Sequence, residues 1–122
     1  RANRLFSEGS LQESVQWFSK AIWLVQSGRA PDVPILLRSI LHSNRAFAYL
    51  RLQKWQEAEE DASASLTLNS KNPKARYRRA WACLELGKLD AALQDVDQVL
   101  QELPAGASNK EALDLQQRVT SA

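Results

Sequence analysis

The chain has 122 residues, 44% of them hydrophobic and 25% charged, with four glycines, four prolines and a formal net charge of +2. That length fits one domain, since a second independent core usually needs more than ~250 residues, and so few glycines and prolines argue against disorder and against a turn-rich all-β fold. No apolar run nears the ~18 residues of a membrane span, the densest being 21–25 and 33–37, and no basic start leads into an apolar core as in a signal peptide.

The single cysteine, Cys83, has no partner for an internal disulfide and no Cys or clustered His at metal-ligand spacing, which fits a reducing compartment such as the cytosol. A net charge of +2 is too small to argue for nucleic acid. With no methionine and a start at Arg1 in mid-pattern, the chain reads as a domain excised from a longer parent.

In chain order, Ser10 and Glu13 have capping-box spacing ahead of an apolar helical stripe of Val15, Phe18, Ile22 and Val25. Gly28, Pro31 and Pro34 then supply turn chemistry, and the flanking helices have room to lengthen by a turn. Leu41, Ala48, Tyr49 and Leu52 form the next stripe. Asn72-Pro73 reads as an N-cap followed by proline at the first helical position, and Gly87 closes the helix that follows. Ser108 and Glu111 again have capping-box spacing, and Ala112, Leu115 and Val119 give the last helix one apolar face among polar residues.

A shift of the sequence against itself by 34 residues aligns Ile40, Asn44, Ala46, Phe47, Arg51, Trp55 and Ala58 with Lys74, Arg78, Ala80, Trp81, Glu85, Leu89 and Ala92. An earlier copy emerges at a shift of 44, which sets Ala2, Leu11, Ser14, Phe18 and Ala21 against Ala46, Trp55, Ala58, Ala62 and Ser65. The surplus of ten falls between Gln26 and Ile40. Three helical hairpins follow, over about 1–33, 34–70 and 73–104, with a capping helix over about 108–121. Stacked hairpins bury their apolar faces only against neighbours, so such an array needs about three copies and a polar-faced terminal element.

The pattern Ala46-x2-Tyr49, Trp55-x2-Ala58 and Leu68, repeated as Ala80-x2-Cys83, Leu89-x2-Ala92 and Pro104, resembles the tetratricopeptide repeat over nearly the whole chain. Ala2 and Ser70 depart from it, standing where that repeat often has Gly and Pro. The resemblance implies an all-α, right-handed solenoid of three helix-turn-helix hairpins with a concave groove that binds peptides. The stretches Ser43-Asn44-Arg45-Ala46 and Lys74-Ala75-Arg76-Tyr77-Arg78-Arg79-Ala80 further resemble the carboxylate-clamp subclass, co-chaperones that bind the C-terminal Glu-Glu-Val-Asp tails of the 70- and 90-kDa heat-shock chaperones. That likeness implies a clamp of Asn3, Asn44, Lys74 and Arg78. The subclass's fifth clamp residue, a Lys four positions before the first Asn, would precede Arg1. It also implies a cytoplasmic protein, or a nuclear one, or one on the cytosolic face of an organelle, and no cofactor.

The chemistry suits these residues. A peptide ending in Asp offers two carboxylates close together, and Lys74 and Arg78, four apart on a helix, point the same way, with Asn44 one 34-residue period from Arg78. Phe6, Ile40, Phe47, Leu50, Arg51, Trp81 and Leu84 are expected to line the adjoining groove, where Phe47 and Trp81 would narrow the choice of tail. Cys83 falls in the small, inward register and reads as core, and His42 stands in no catalytic signature. Without a phosphate loop, paired metal ligands or a hydrolase elbow, no enzymatic activity is expected of this chain. Two rival readings remain: a tetratricopeptide scaffold that holds an internal peptide or constant subunit, and single-stranded RNA binding through Arg76, Arg79, Tyr77 and Trp81. The acids Glu57, Glu59, Glu60 and Asp61 count against the second.

Overall fold

The computed structural model describes residues 8–30, 32–102 and 108–122. Among them every regular element is an α-helix: α1 (Glu8–Gln26), α2 (Ile35–Arg51), α3 (Trp55–Leu68), α4 (Pro73–Glu85), α5 (Leu89–Glu102) and α6 (Ser108–Ser121). Each helix packs on the next in sequence, and α2 also meets α4, as α4 meets α6. This is an all-α repeat solenoid whose alternate helices α2, α4 and α6 stand side by side.

The 34-residue period recurs in the helix ends. Helices α2 and α4 end at Arg51 and Glu85, and α3 and α5 run over Trp55–Leu68 and Leu89–Glu102. Both turns carry the same termination: Lys54 N–H donates to the Tyr49 carbonyl and Lys88 N–H to that of Cys83, each at 2.8 Å, around a left-handed residue, Gln53 (φ 60°) or Gly87 (φ 81°). Helix α4 starts as its sequence implies, with the Asn72 side chain accepting from Ala75 N–H at 3.2 Å and proline at the first turn. Helix α2 is one turn longer than α4, 17 residues against 13, and that added turn exposes Ile35, Leu36 and Leu37. Ser10 does not cap a helix, since α1 already runs from Glu8, and its carbonyl accepts from Ser14 Oγ inside that helix.

Small residues set how closely the helices approach. Ala46 and Ala80, and Ala58 and Ala92, are fully buried at equivalent positions, so the backbones come together where a larger side chain would hold them apart. Val96, Val99, Ala112 and Leu115 join Ala80 in the core beneath α4, α5 and α6, and Leu50, Ala58 and Ala82 form a second core across α2, α3 and α4.

A polar pairing accompanies each repeat. Arg45 donates two hydrogen bonds to the Asp61 carboxylate, at 2.6 and 2.7 Å, and one to Ser19 Oγ at 3.0 Å. One period later Arg79 binds Asp95 at 2.7 and 2.8 Å and reaches Ser63 Oγ at 3.5 Å. Each arginine thus ties the second helix of its own hairpin to that of the hairpin before. His42 is buried and satisfied, its Nδ1 lying 3.1 Å from Asp61 Oδ1.

Candidate functional site

Helix α4 carries Lys74, Arg76, Arg78 and Arg79 within six residues, and the packing divides them. Arg79 is held by Asp95. Arg76 faces Asp95 at 3.6 Å and Glu102 at 3.7 Å, and donates to the Ser70 carbonyl at 2.8 Å. These two arginines, the cations that RNA binding would need, are engaged in the structure.

Arg78 points the other way, toward α2. Its Nη1 donates to the Ser43 carbonyl at 2.8 Å, to Ser43 Oγ at 2.9 Å and to Asn44 Oδ1 at 3.4 Å. The guanidinium carbon sits 4.8 Å from the centroid of the Phe47 ring, within cation–π range. No ion pair among the described residues includes Arg78, and none of its hydrogen bonds there uses Nε or Nη2.

The electrostatic consequence separates the three arginines. Hydrogen bonds to Asp61 and Asp95 hold Arg45 and Arg79 above the usual arginine range, whereas burial without a nearby anion pulls Arg78 below it. Arg78 is thus a half-buried cation hydrogen-bonded to neutral oxygens, with donors left over.

Arg78 opens on a groove of about 980 Å³ bounded by α2, α4 and α6. Phe47 and Arg51 come from α2, Lys74, Tyr77 and Trp81 from α4, and Glu111, Asp114, Leu115 and Arg118 from α6. Lys74 is exposed one turn before Arg78, and no ion pair among the described residues includes it. Trp81 is half-buried, packed on both cores and edge-on to Tyr77 with ring centroids 6.4 Å apart, so it serves as wall and wedge at once.

The structure therefore brings Asn44, Phe47 and Arg78 together and lines one groove with Phe47, Arg51, Lys74, Arg78 and Trp81. Asn3 and Phe6 lie outside the described residues. Leu50 corrects the expectation: it is 1% exposed and packs in the second core, because it stands about 100° around α2 from Arg51 and faces α3 and α4. Leu84 likewise packs against the core rather than lining the groove, and Ile40 is exposed on the lengthened α2 without lining it. Ser43 is a further partner of Arg78, and Tyr77, Glu111 and Asp114 are further groove residues. Ser43 adjoins Asn44 in sequence, whereas the facing of α6 has no sequence signal.

Cys83 is 1% exposed, its thiol 3.5 Å from Glu59 Oε2, and burial pushes it up to about 12. This is a core thiol. Among the described residues no cluster of three or more His, Cys, Asp or Glu side chains could hold a metal ion, and no helix is long and apolar enough to cross a membrane.

The geometry and the sequence agree with what the chain is similar to. A family profile described as "Tetratricopeptide repeat" matches residues 44–107, over half of the chain. This chain belongs to the tetratricopeptide repeat family. It is 31% identical over 119 residues, 98% of its length, to the rat (Rattus norvegicus) mitochondrial import receptor subunit TOM70, and spans 18% of that relative. Among solved structures it is similar to the second TPR domain of human RPAP3 in complex with the HSP70 peptide SGPTIEEVD, at 30% identity and a TM-score of 0.75, with 97% of this chain and 88% of that one covered. The first TPR of Spaghetti (RPAP3), bound to the HSP90 peptide SRMEEVD, is 29% identical with a TM-score of 0.76, covering 98% and 84% of the two chains.

Proposed function

We propose that this chain is a docking module for the C-terminal Glu-Glu-Val-Asp tail of a heat-shock chaperone of the 70- or 90-kDa class, held by a two-carboxylate clamp. Arg78 and Asn44 take one carboxylate of the terminal Asp, Lys74 takes the other, and Asn3 completes the set. Phe47, Arg51 and Trp81 bound the groove that receives the preceding residues. The module performs no reaction of its own and works in the cytoplasm, in the nucleus or on the cytosolic face of an organelle.

The observation that carries this reading is Arg78 itself, a desolvated guanidinium with no anionic partner among the described residues, beside a groove that also holds Lys74. A ligand carboxylate would restore the compensation that Asp61 and Asp95 give to Arg45 and Arg79. Charge-assisted hydrogen bonds contribute roughly 1.5–3 kcal/mol each. Three or four of them, reduced by the cost of ordering the peptide, support roughly micromolar binding. The peptides bound by the RPAP3 domains, which share the fold and about three residues in ten, support the same assignment.

Calorimetric titration with a tail peptide as free acid, with its C-terminal amide, and with the Arg78→Ala variant tests it. Binding of the free acid alone to the native chain is expected. Equal behaviour of all three would move recognition away from the chain terminus and favour a scaffold that holds an internal segment.

A further inference from the structure

An arginine serves a ligand best when it is held in place before the ligand arrives. A free arginine side chain samples many rotamers, and binding that must first order it loses affinity to that cost. Arg45 and Arg79 are ordered by carboxylates, which grip Nε and Nη2 and compensate the charge in doing so. Arg78 is ordered differently. Each hydrogen bond it makes to the described residues leaves from Nη1, to the Ser43 carbonyl at 2.8 Å, the Ser43 hydroxyl at 2.9 Å and Asn44 Oδ1 at 3.4 Å. Those bonds tether one corner of the guanidinium, and a corner alone leaves its plane free to swing.

The Phe47 ring supplies the second constraint. Phe47 stands three residues after Asn44 and four after Ser43, so the three side chains share one face of α2 and reach the guanidinium together. The guanidinium carbon lies over the ring, 4.8 Å from its centroid. An aromatic face attracts a cation through its quadrupole, yet it takes no conventional hydrogen bond from it and carries no net charge. It therefore holds an arginine without compensating it. A carboxylate in that place would hold and compensate at once, as Asp95 does for Arg79, and an aliphatic side chain would do neither. With one corner on Ser43 and Asn44 and the central carbon over Phe47, Nε and Nη2 are left for an anion in the groove that Arg78 and Phe47 both line.

Resting on the clamp reading above, we propose that Phe47 is a positioning residue of the clamp: its ring fixes the Arg78 guanidinium in the orientation that receives a ligand carboxylate. This role is separate from that of a groove wall. A wall needs apolar bulk, which leucine also has, whereas the hold on Arg78 needs an aromatic face.

The experiment has one readout in the free chain and one in the complex. In the free chain the Nε–Hε resonance of Arg78, assigned through the backbone, should be displaced by the ring current of Phe47 and show restricted motion. In Phe47→Leu it should return to the position and mobility of a solvated arginine, and in Phe47→Tyr, which keeps the aromatic face, it should remain displaced. In calorimetric titration with SRMEEVD as free acid, Phe47→Leu should weaken binding roughly three- to tenfold and Phe47→Tyr by less than about twofold. Circular dichroism of each variant checks that the helices are intact. An Arg78 resonance without ring displacement in the native chain overturns the proposal with no variant needed. Unchanged affinity in Phe47→Leu overturns it as well, and so does a loss of affinity with the Arg78 resonance unmoved, which would make Phe47 a wall alone. All three leave the clamp standing so long as the native chain prefers the free acid to the amide. If amidated SRMEEVD binds the native chain as well as the acid, or neither binds, the clamp reading fails and the role proposed for Phe47 falls with it.

Discussion

Arg79 grips the Asp95 carboxylate through Nε and Nη2 at 2.7 and 2.8 Å, from one helix of the third hairpin to the other. Arg45 and Asp61 repeat that geometry one period earlier. Both aspartates are nearly inaccessible, while the arginine side chains keep about a fifth to a quarter of their surface. Removing a carboxylate therefore strands a guanidinium whose charge has lost its compensation. Asp95→Ala is expected to destabilise the fold by roughly 2–3 kcal/mol, below the ~3–5 kcal/mol of a wholly buried pair, and Asp61→Ala by a similar amount. Urea unfolding of each single variant and of the double variant with Arg79→Ala would check this, and strict additivity would show that the pair is not coupled.

The two helix terminations make opposite predictions at equivalent sites. Gln53 is the non-glycine residue with positive φ among those described, and Gly87 holds the same place in the next repeat. No atom lies within 4 Å of a Cβ built at Gly87, so Gly87→Ala acts through the backbone alone and should cost about 1 kcal/mol. Gln53→Gly should stabilise by up to about 1 kcal/mol and raise Tm by a few degrees. Thermal unfolding of the two variants measures both signs at once.

Arg78→Lys should abolish most peptide affinity while leaving the helices intact. A lysine supplies charge without the fork that binds Ser43 and Asn44 through Nη1 and leaves Nε and Nη2 for a ligand. A loss of at least about tenfold in the titration is expected, equal to the ~1.4 kcal/mol of one weakened charge-assisted bond. Circular dichroism on the same sample separates this from unfolding.

Alkaline pH should weaken the fold through Cys83. Its thiol is raised from the ordinary 9.0 to about 12 by burial, with Glu59 adding to the effect. Between those values the unfolded chain has released the proton that the folded chain still holds, so stability is complete below pH 9 and declines as pH rises toward 12. Tyr49 and Tyr77, also raised by burial, act in the same direction at higher pH. Urea midpoints across that window, with Cys83→Ala as control, should show a shallower decline in the variant. The native thiol should also resist alkylation at pH 8 and react only on unfolding.

Much of this molecule could be read from its residues because a repeat writes its geometry into a period. A spacing of 34 sets Ala46 with Ala80 and Ala58 with Ala92 as the small contacts between helices, and it places Asn44 opposite Arg78. Asn72-Pro73 and Gly87 mark helix ends through backbone chemistry that acts within a few residues. The same period joins Arg45 to Arg79 and Asp61 to Asp95, but it does not pair the arginines with those carboxylates, which lie 16 residues away on another helix.

The sequence by itself thus determined the helices, their order and the height at which Asn44 meets Arg78, since these follow from local propensity and from a period that every copy shares. Only the tertiary structure decided which of four neighbouring basic residues on α4 are neutralised. Arg76 and Arg79 turn toward the acids of α5, whereas Arg78 turns toward α2 and Lys74 toward the groove. It decided as well that Leu50 faces inward beside an outward Arg51, and that α6 turns Glu111 and Asp114 into the groove. The reason is rotational: adjacent helical residues differ by about 100° in direction, and the small residues that let the helices close together fix each helix's rotation against its neighbours.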